Sequence, residues 1–318
     1  MLVKLLEPLN VPSEQIEEYG KKIKNLGHDF VYYDEKTTDV SELIKRSKDA
    51  DIVMIGNNPY PAEVINENEQ LKLINVAFTG VDHVGIAEAT NQEILIANAA
   101  GYADQAVAEL AIGLVLDLYR GITLGDDVIR QEATYKPFQG REIKGKTVGI
   151  VGTGMIGVMT AKLFRAFGAN LIGYDINENP EAQKLGLDYV DLDELMTQSD
   201  IVSLHIPLIP STVGLISAER IALMKEDAIL INTARGPVVD NDALAEALNR
   251  EKIAGAGVDV FDMEPPIPND YKLLKAKHTV LTPHIAFLSD EAMERRAKIA
   301  FDNTIAFLNG EPRNIVKQ

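Results

Sequence analysis

Short apolar runs rich in β-branched residues alternate along this chain with stretches whose apolar positions recur every three or four residues. That alternation reads as parallel α/β architecture. In the first hundred residues the strand candidates are Leu2–Leu6, Phe30–Tyr33, Ile52–Ile55, Leu73–Val76 and Ile94–Ile96, with helical patterns over Ser13–Leu26 and Asp39–Ser47. Ser13 and Asp39 are suitable N-cap residues for those two helices. A second series runs through Thr147–Val151, Asn170–Tyr174, Ile201–Leu204, Ala228–Ile231, Gly255–Val260 and Thr279–Leu281. Each series predicts a doubly wound parallel sheet with its own helices. Between them Asp104–Arg130 predicts one long helix without proline, and Asp290–Asn309 predicts a last helix ended by Gly310. Ile299, Ile305, Phe307 and Leu308 give that last helix an apolar face, so it should fold back onto the first domain. The expected domains are therefore 1–101 with 289–318, discontinuous, and 102–288.

Composition narrows the class. A length of 318 residues leaves room for two cores, and 46% hydrophobic with 25% charged residues argues against disorder. The net charge of −17 repels phosphate backbones and anionic lipid, which disfavours nucleic-acid and membrane partners. There is no cysteine, which removes disulfides, thiolate metal sites and cysteine nucleophiles and fits a reducing cytoplasm; no metal is expected. The longest apolar stretch, Ala106–Leu118, contains Glu109 and Asp117 and is too short to span a bilayer.

The first specific chemistry lies after Thr147–Val151, in Gly152-Thr153-Gly154-Met155-Ile156-Gly157. This is G-x-G-x-x-G between a strand and a helix. Gly152 permits a tight turn, Gly154 lets a pyrophosphate approach the backbone, and Gly157 lets the helix pack close to the strand. The helix N-terminus, beginning around Met155 and Ile156, then meets the negative charge. The next strand ends in Asp175, placed to bind the adenosine ribose hydroxyls and to repel a 2′-phosphate, so NAD is expected over NADP.

Three further strand candidates lead into polar groups. Ala228–Ile231 runs into Asn232-Thr233-Ala234-Arg235, Gly255–Val260 into Glu264, and Thr279–Leu281 into Thr282-Pro283-His284. In a doubly wound sheet ligands collect beyond the carboxyl ends of strands. Arg235 offers a planar fork suited to a carboxylate. His284 can exchange a proton, and Glu264 is placed to orient it and hold its tautomer. The three together are equipment for interconverting a 2-keto and a 2-hydroxy acid.

With these motifs the chain resembles the D-isomer-specific 2-hydroxyacid dehydrogenase family essentially end to end. Further matching segments are Gly80-Val81-Asp82, Ser203-Leu204-His205-Ile206-Pro207-Leu208, Gly257-Val258-Asp259-Val260-Phe261 and Pro283-His284-Ile285-Ala286. The resemblance implies a Rossmann NAD-binding domain and a flavodoxin-like substrate domain. It implies that Arg235 binds substrate and also lines the cofactor, that Glu264 partners the histidine and that His284 is the proton donor. Asp259 resembles the nicotinamide-carboxamide ligand. His205, Pro207, Thr212, Thr233 and Ala234 resemble cofactor-lining positions, and Thr79-Gly80-Val81 the substrate loop.

Departures from the pattern narrow the acid. Glu264 stands where formate dehydrogenases carry glutamine, Thr79-Gly80 offers no lysine as phosphite dehydrogenases do, and Gly56–Tyr60 lacks the basic residues of phosphoglycerate dehydrogenases. Phe287, just past His284, is similar to the D-lactate and D-2-hydroxyisocaproate branch. Phe287 and Tyr102 are expected pocket walls, with packing between domains as the alternative for both. A glyoxylate/hydroxypyruvate reductase, a D-3-phosphoglycerate dehydrogenase and a non-catalytic, NAD-responsive corepressor-like protein are the other readings. The resemblance also implies a homodimer paired through nucleotide domains, with Ala106–Leu118 as one possible face.

Overall fold

The computed structural model describes residues 1–131 and 139–316. They form two compact units, Met1–Ala103 with Leu288–Gln318, and Asp104–Phe287.

The first unit holds β1 (Leu2–Leu5), β2 (Asp29–Tyr32), β3 (Ile52–Ile55), β4 (Leu73–Val76) and β5 (Leu95–Asn98) in the order β2-β1-β3-β4-β5. All pairings are parallel, so this is the flavodoxin-like order. β3 and β4 are buried on both faces, which is why they read as unbroken apolar runs. The predicted strands match within one or two residues, the usual scatter of element ends. The helix Val40–Ser47 is capped as expected, with the Asp39 carboxylate accepting from Glu42 N. The helix Ser13–Asn25 differs, since Pro12 occupies the cap position and no side chain caps it.

The last helix, Asp290–Leu308, packs in this unit as its apolar face requires. Phe301 is fully buried and stacks on Tyr19 with centroids 4.6 Å apart. Asn75, buried in β4, donates through Nδ2 to Ala300 O and Thr304 Oγ1, at 2.6 and 2.8 Å. Phe301→Ala should therefore cost about 3–5 kcal/mol, read as a lowered midpoint in urea unfolding. A loss below about 1 kcal/mol would mean that the helix is not anchored there.

The second unit holds β6 (Thr147–Val151), β7 (Asn170–Tyr174), β8 (Leu187–Tyr189), β9 (Ile201–Leu204), β10 (Ile229–Asn232), β11 (Gly255–Val258) and β12 (Thr279–Leu281). Their order is β12-β11-β10-β9-β6-β7-β8, all parallel. Read from β8 this is the Rossmann order, extended by one strand, and the direction of winding reverses between β6 and β9. The pattern of the sequence does not predict β8, a three-residue edge strand with only Leu187 buried.

The predicted single helix over Asp104–Arg130 is two helices, Asp104–Arg120 and Ile122–Arg130. Gly121 separates them at φ 59°, a left-handed conformation glycine adopts without penalty. Asp117 secures the break, because its side chain accepts from both Thr123 N and Thr123 Oγ1. The first of these helices buries Ala111, Ile112, Leu114 and Val115 in the second unit's own core.

Candidate functional site

At the switch point of the second unit, Gly152 follows β6 and His205 follows β9. Gly152 sits at φ +93°, and a Cβ there would lie 2.6 Å from His205 O. A Cβ on Gly157 would lie 1.9 Å from Gly152 O, whereas one on Gly154 would meet nothing within 4 Å. Two of the three glycines are thus demanded by the chain itself, and Gly154 leaves open the space a pyrophosphate needs. The following helix starts at Met155, with Gly154 at its N-cap position, so its first N–H groups face that space. Met155 is exposed and Ile156 half-buried.

Asp175 closes β7 and is joined to the turn. Its Oδ2 accepts from Thr153 N at 2.6 Å and Thr153 Oγ1 at 3.2 Å, and its Oδ1 accepts from Asn177 N at 3.2 Å. The missed strand matters here. Tyr189, at the end of β8, donates its hydroxyl to Thr153 Oγ1 at 2.7 Å and accepts from Asn179 N at 2.7 Å. Asn179 Nδ2 in turn donates to Thr153 O at 2.8 Å. Ile176, next to Asp175, is 84% exposed, an apolar surface beside the turn. Its only signal in the sequence is an isoleucine directly after the acidic residue.

Two buried polar atoms at neighbouring strand ends, His205 Nδ1 after β9 and Thr233 Oγ1 after β10, have no partner among the described residues. Buried polar groups are normally satisfied, so these atoms fit a site that a ligand completes. Burial pushes the His205 imidazole down to about 3, so it is neutral at pH 7; its Nε2 is 2.9 Å from Ser203 Oγ. A neutral, buried ring suits a cofactor wall and not a second proton donor. Thr212 Oγ1 closes the adjoining loop by donating to Pro207 O at 2.6 Å and accepting from Ile209 N at 2.9 Å. The glycine cradle, the acid at the end of β7 and the unpartnered atoms all fit a dinucleotide.

β10, β11 and β12 are adjacent, and the three expected catalytic residues follow their carboxyl ends. Arg235 is half-buried, and its turn wraps the Asn232 side chain, which donates to Arg235 O at 3.0 Å and accepts from Ala234 N at 3.0 Å. His284 Nδ1 lies 2.8 and 2.9 Å from the two carboxylate oxygens of Glu264. The imidazole side chain is 12% exposed and that of Glu264 is 65% exposed. Because Nδ1 is engaged, the proton that can be exchanged is the one on Nε2. Phe287 meets the imidazole edge-on, with centroids 5.4 Å apart at 87°.

Asp259 has a larger structural part than the sequence suggests. It is fully buried, and its carboxylate accepts from Thr282 Oγ1 at 2.6 Å and from Ile285 N and Ala286 N at 2.9 Å each. Its carbonyl accepts from His284 N at 2.8 Å. These bonds hold the loop in which His284 adopts φ 55°. Burial pushes the Asp259 carboxyl up, and the hydrogen bonds from Thr282, Ile285 and Ala286 oppose that shift.

In the first unit, Thr79-Gly80-Val81 follows β4, and Thr79 O is held by Asn98 Nδ2 at 2.8 Å. Val81 O accepts from Val84 N at 3.0 Å, which completes the turn. Tyr102 is 1% exposed and packs on Phe78 with centroids 5.9 Å apart.

Residues 112–286 match the family model described as D-isomer specific 2-hydroxyacid dehydrogenase, NAD binding domain. A glyoxylate reductase from Thermofilum pendens is 42% identical over 278 residues, covering 85% of this chain and 82% of that one. A hydroxypyruvate reductase from Blautia hydrogenotrophica is 36% identical over 305 residues, covering 94% of each chain. A D-lactate dehydrogenase from Aquifex aeolicus, solved with NAD and lactic acid, superimposes with a TM-score of 0.84 at 31% identity, covering 97% of this chain and 96% of that one.

Proposed function

Since the chain belongs to the D-isomer-specific 2-hydroxyacid dehydrogenases, an NAD-dependent family of oxidoreductases, we propose that it reduces glyoxylate or hydroxypyruvate to the 2-hydroxy acid. The observation that carries this reading is the imidazole of His284 paired with Glu264 at one of three adjacent strand ends, another of which leads into Arg235, on the sheet that bears the glycine turn. Curated relatives named for those two acids are 36–42% identical over most of both chains, and D-3-phosphoglycerate dehydrogenases at 38–39% are spanned over about half their own length.

We assign the roles as follows. The turn Gly152–Gly157 and the helix N-terminus hold the pyrophosphate, Asp175 the adenosine ribose, and His205, Pro207, Thr212, Thr233, Ala234 and Asp259 line the rest of the cofactor site. Bound NADH supplies the hydride that C2 of the keto acid receives. Arg235 grips the carboxylate and polarises the carbonyl with its fork. His284 gives the Nε2 proton to the carbonyl oxygen, and Glu264 balances the charge on the ring before that transfer. The reverse direction needs a neutral ring that takes the proton back. The turn Thr79-Gly80-Val81 keeps its assignment as a carboxylate-binding loop, supported by its position after β4.

The test is NADH oxidation against glyoxylate, hydroxypyruvate, pyruvate and 3-phosphohydroxypyruvate. The highest kcat/KM should fall on one of the first two acids. Pyruvate in first place would move the chain to the D-lactate branch. No turnover of any acid would favour a non-catalytic NAD-responsive protein.

Cofactor choice has its own prediction. Asp175→Asn keeps an oxygen for Thr153 N but removes the charge that would repel a 2′-phosphate. Preference for NADH over NADPH should fall about 10- to 100-fold, the equivalent of one charged hydrogen bond. Unchanged discrimination in paired kcat/KM measurements would overturn the ribose assignment.

We also propose a homodimer in a reducing, cytoplasmic setting, the latter resting on the cysteine-free chain. The pairing face is placed on the helix Ile122–Arg130, none of whose 9 residues is buried. It presents Ile122 and Ile129, seven positions apart on one face, at 58 and 72% exposure. An exposed apolar face of this kind marks an association surface. Ile129→Asp should shift the protein towards monomer in sedimentation velocity, and an unchanged mass would place the interface elsewhere.

A further inference from the structure

We infer that Asn241 is a positioning residue: its buried carboxamide ties the peptide that follows Arg235 to the Asp262 side chain. It thereby sets the spacing between the turn carrying Arg235 and the turn carrying Glu264. The inference rests on the functional reading of those two residues.

Asn241 opens the helix Asn241–Asn249 and is 6% exposed. The helix does not need its side chain as a cap, because the Asp240 carboxylate already accepts from Ala243 N at 2.9 Å. The Asn241 amide group points elsewhere. Its Nδ2 donates to Gly236 O at 3.1 Å and to Asp262 Oδ1 at 2.9 Å. Its Oδ1 is buried without a partner among the described residues. Turning the amide over would set that oxygen against a carbonyl and a carboxylate, so the donor orientation is the one chemistry permits. An orphaned buried oxygen is tolerated here in exchange for two donated bonds that bridge two turns.

Both anchors stand next to the proposed chemistry. Gly236 directly follows Arg235, and Asp262 precedes Glu264 by one intervening residue, Met263. The backbone is pressed together at the same place, since a Cβ on Gly236 would lie 2.0 Å from both C and O of Phe261 and 2.6 Å from Asp262 N. The second oxygen of Asp262 accepts from Tyr271 Oη at 2.8 Å, and the Tyr271 ring meets Phe261 edge-on at 5.9 Å. Lys272 then returns to the helix through Asp242 Oδ2 at 2.7 Å. The helix, Asp262, Tyr271 and Lys272 form a closed ring of contacts in which the Asn241 amide is one link. Carboxylate-gripping and proton-transferring groups must be held to a fraction of an ångström, and a 1 Å misplacement can cost about 10²-fold in rate. A brace between their turns is the part that meets this demand.

The test uses the whole protein with NADH and glyoxylate. Asn241→Ala and Asp262→Ala should each lower kcat/KM for glyoxylate by about 10- to 100-fold, through both kcat and the KM for the acid. The Kd for NADH should stay within about twofold, because neither residue belongs to the dinucleotide turn. Asp262→Asn should stay within about threefold of the parent, since its oxygen still accepts from Asn241 and its amide can donate to Tyr271 Oη. Asp262 is exposed, so its variants report even where Asn241→Ala fails to fold. Wild-type kinetics in Asp262→Ala would overturn the brace, as would an equal loss in Asp262→Asn or a matching loss of NADH affinity. Arg235→Gln, measured alongside, separates the two levels. An active Arg235→Gln would sink the functional reading together with this inference; an inactive one beside a normal Asp262→Ala would sink the brace alone.

Discussion

Replacing His284 with asparagine is expected to lower kcat for glyoxylate reduction by about 10²–10⁴-fold, the usual contribution of a positioned general acid. Asparagine is the informative substitution for a conformational reason. Residue 284 sits at φ 55°, where most side chains are strained and asparagine is tolerated. The loop that Asp259 holds through Thr282, Ile285 and Ala286 should therefore survive, so the rate loss reports on the missing proton. NADH binding, followed by quenching of its fluorescence, should be nearly unchanged. Reduction consumes a proton that the ring gives up from Nε2, so the parent rate should fall as pH rises. Oxidation returns that proton to the ring and should rise with pH. The asparagine protein should show neither limb. A kcat within tenfold of the parent would remove His284 from the proton-transfer role and leave its pairing with Glu264 as structure only.

Gly157→Ala should be the most damaging change in the cofactor site. The added carbon would lie 1.9 Å from Gly152 O, a backbone atom that no rotamer change can move, and 3.4 Å from Ile150 Cγ2. Relief requires the helix Met155–Ala166 to lift from β6, which enlarges the cradle and displaces the N–H groups that face the pyrophosphate. Overpacking of this kind costs about 3 kcal/mol, so NADH affinity should fall by about 100-fold even where the fold is retained. Calorimetric titration with NADH measures it directly. Gly154→Ala is the internal comparison: its Cβ meets nothing in the protein, so stability should be unchanged while the pyrophosphate loses room. Equal NADH affinity in the Gly157→Ala and parent proteins would mean that the dinucleotide does not lie along this turn.

Much of this was legible in the linear chain because parallel sheets buried on both faces leave an unbroken apolar run for each strand. β3, β4, β6, β7, β9 and β12 carry the bounds that those runs predict. The features that escaped are those with weak local signals. β8 is three residues at a sheet edge, only one of them buried. The break at Gly121 resembles the glycines at 113 and 125, which stay helical; it is set apart by the reach of Asp117 to Thr123 two turns on. The brace made by Asn241 joins residues 21 positions apart, so no periodicity announces it.

Residue order alone was sufficient for the two parallel sheets, the glycine turn with its acid and the three strand ends bearing Arg235, Glu264 and His284, because each follows from local pattern and chemistry. Tertiary structure alone decided that Tyr189 supports the turn, that His205 is kept neutral and that Asp259 holds the histidine loop. Those outcomes depend on which distant groups exclude water from one another. Burial and hydrogen-bond partnership are properties of the packed chain, not of any window along it.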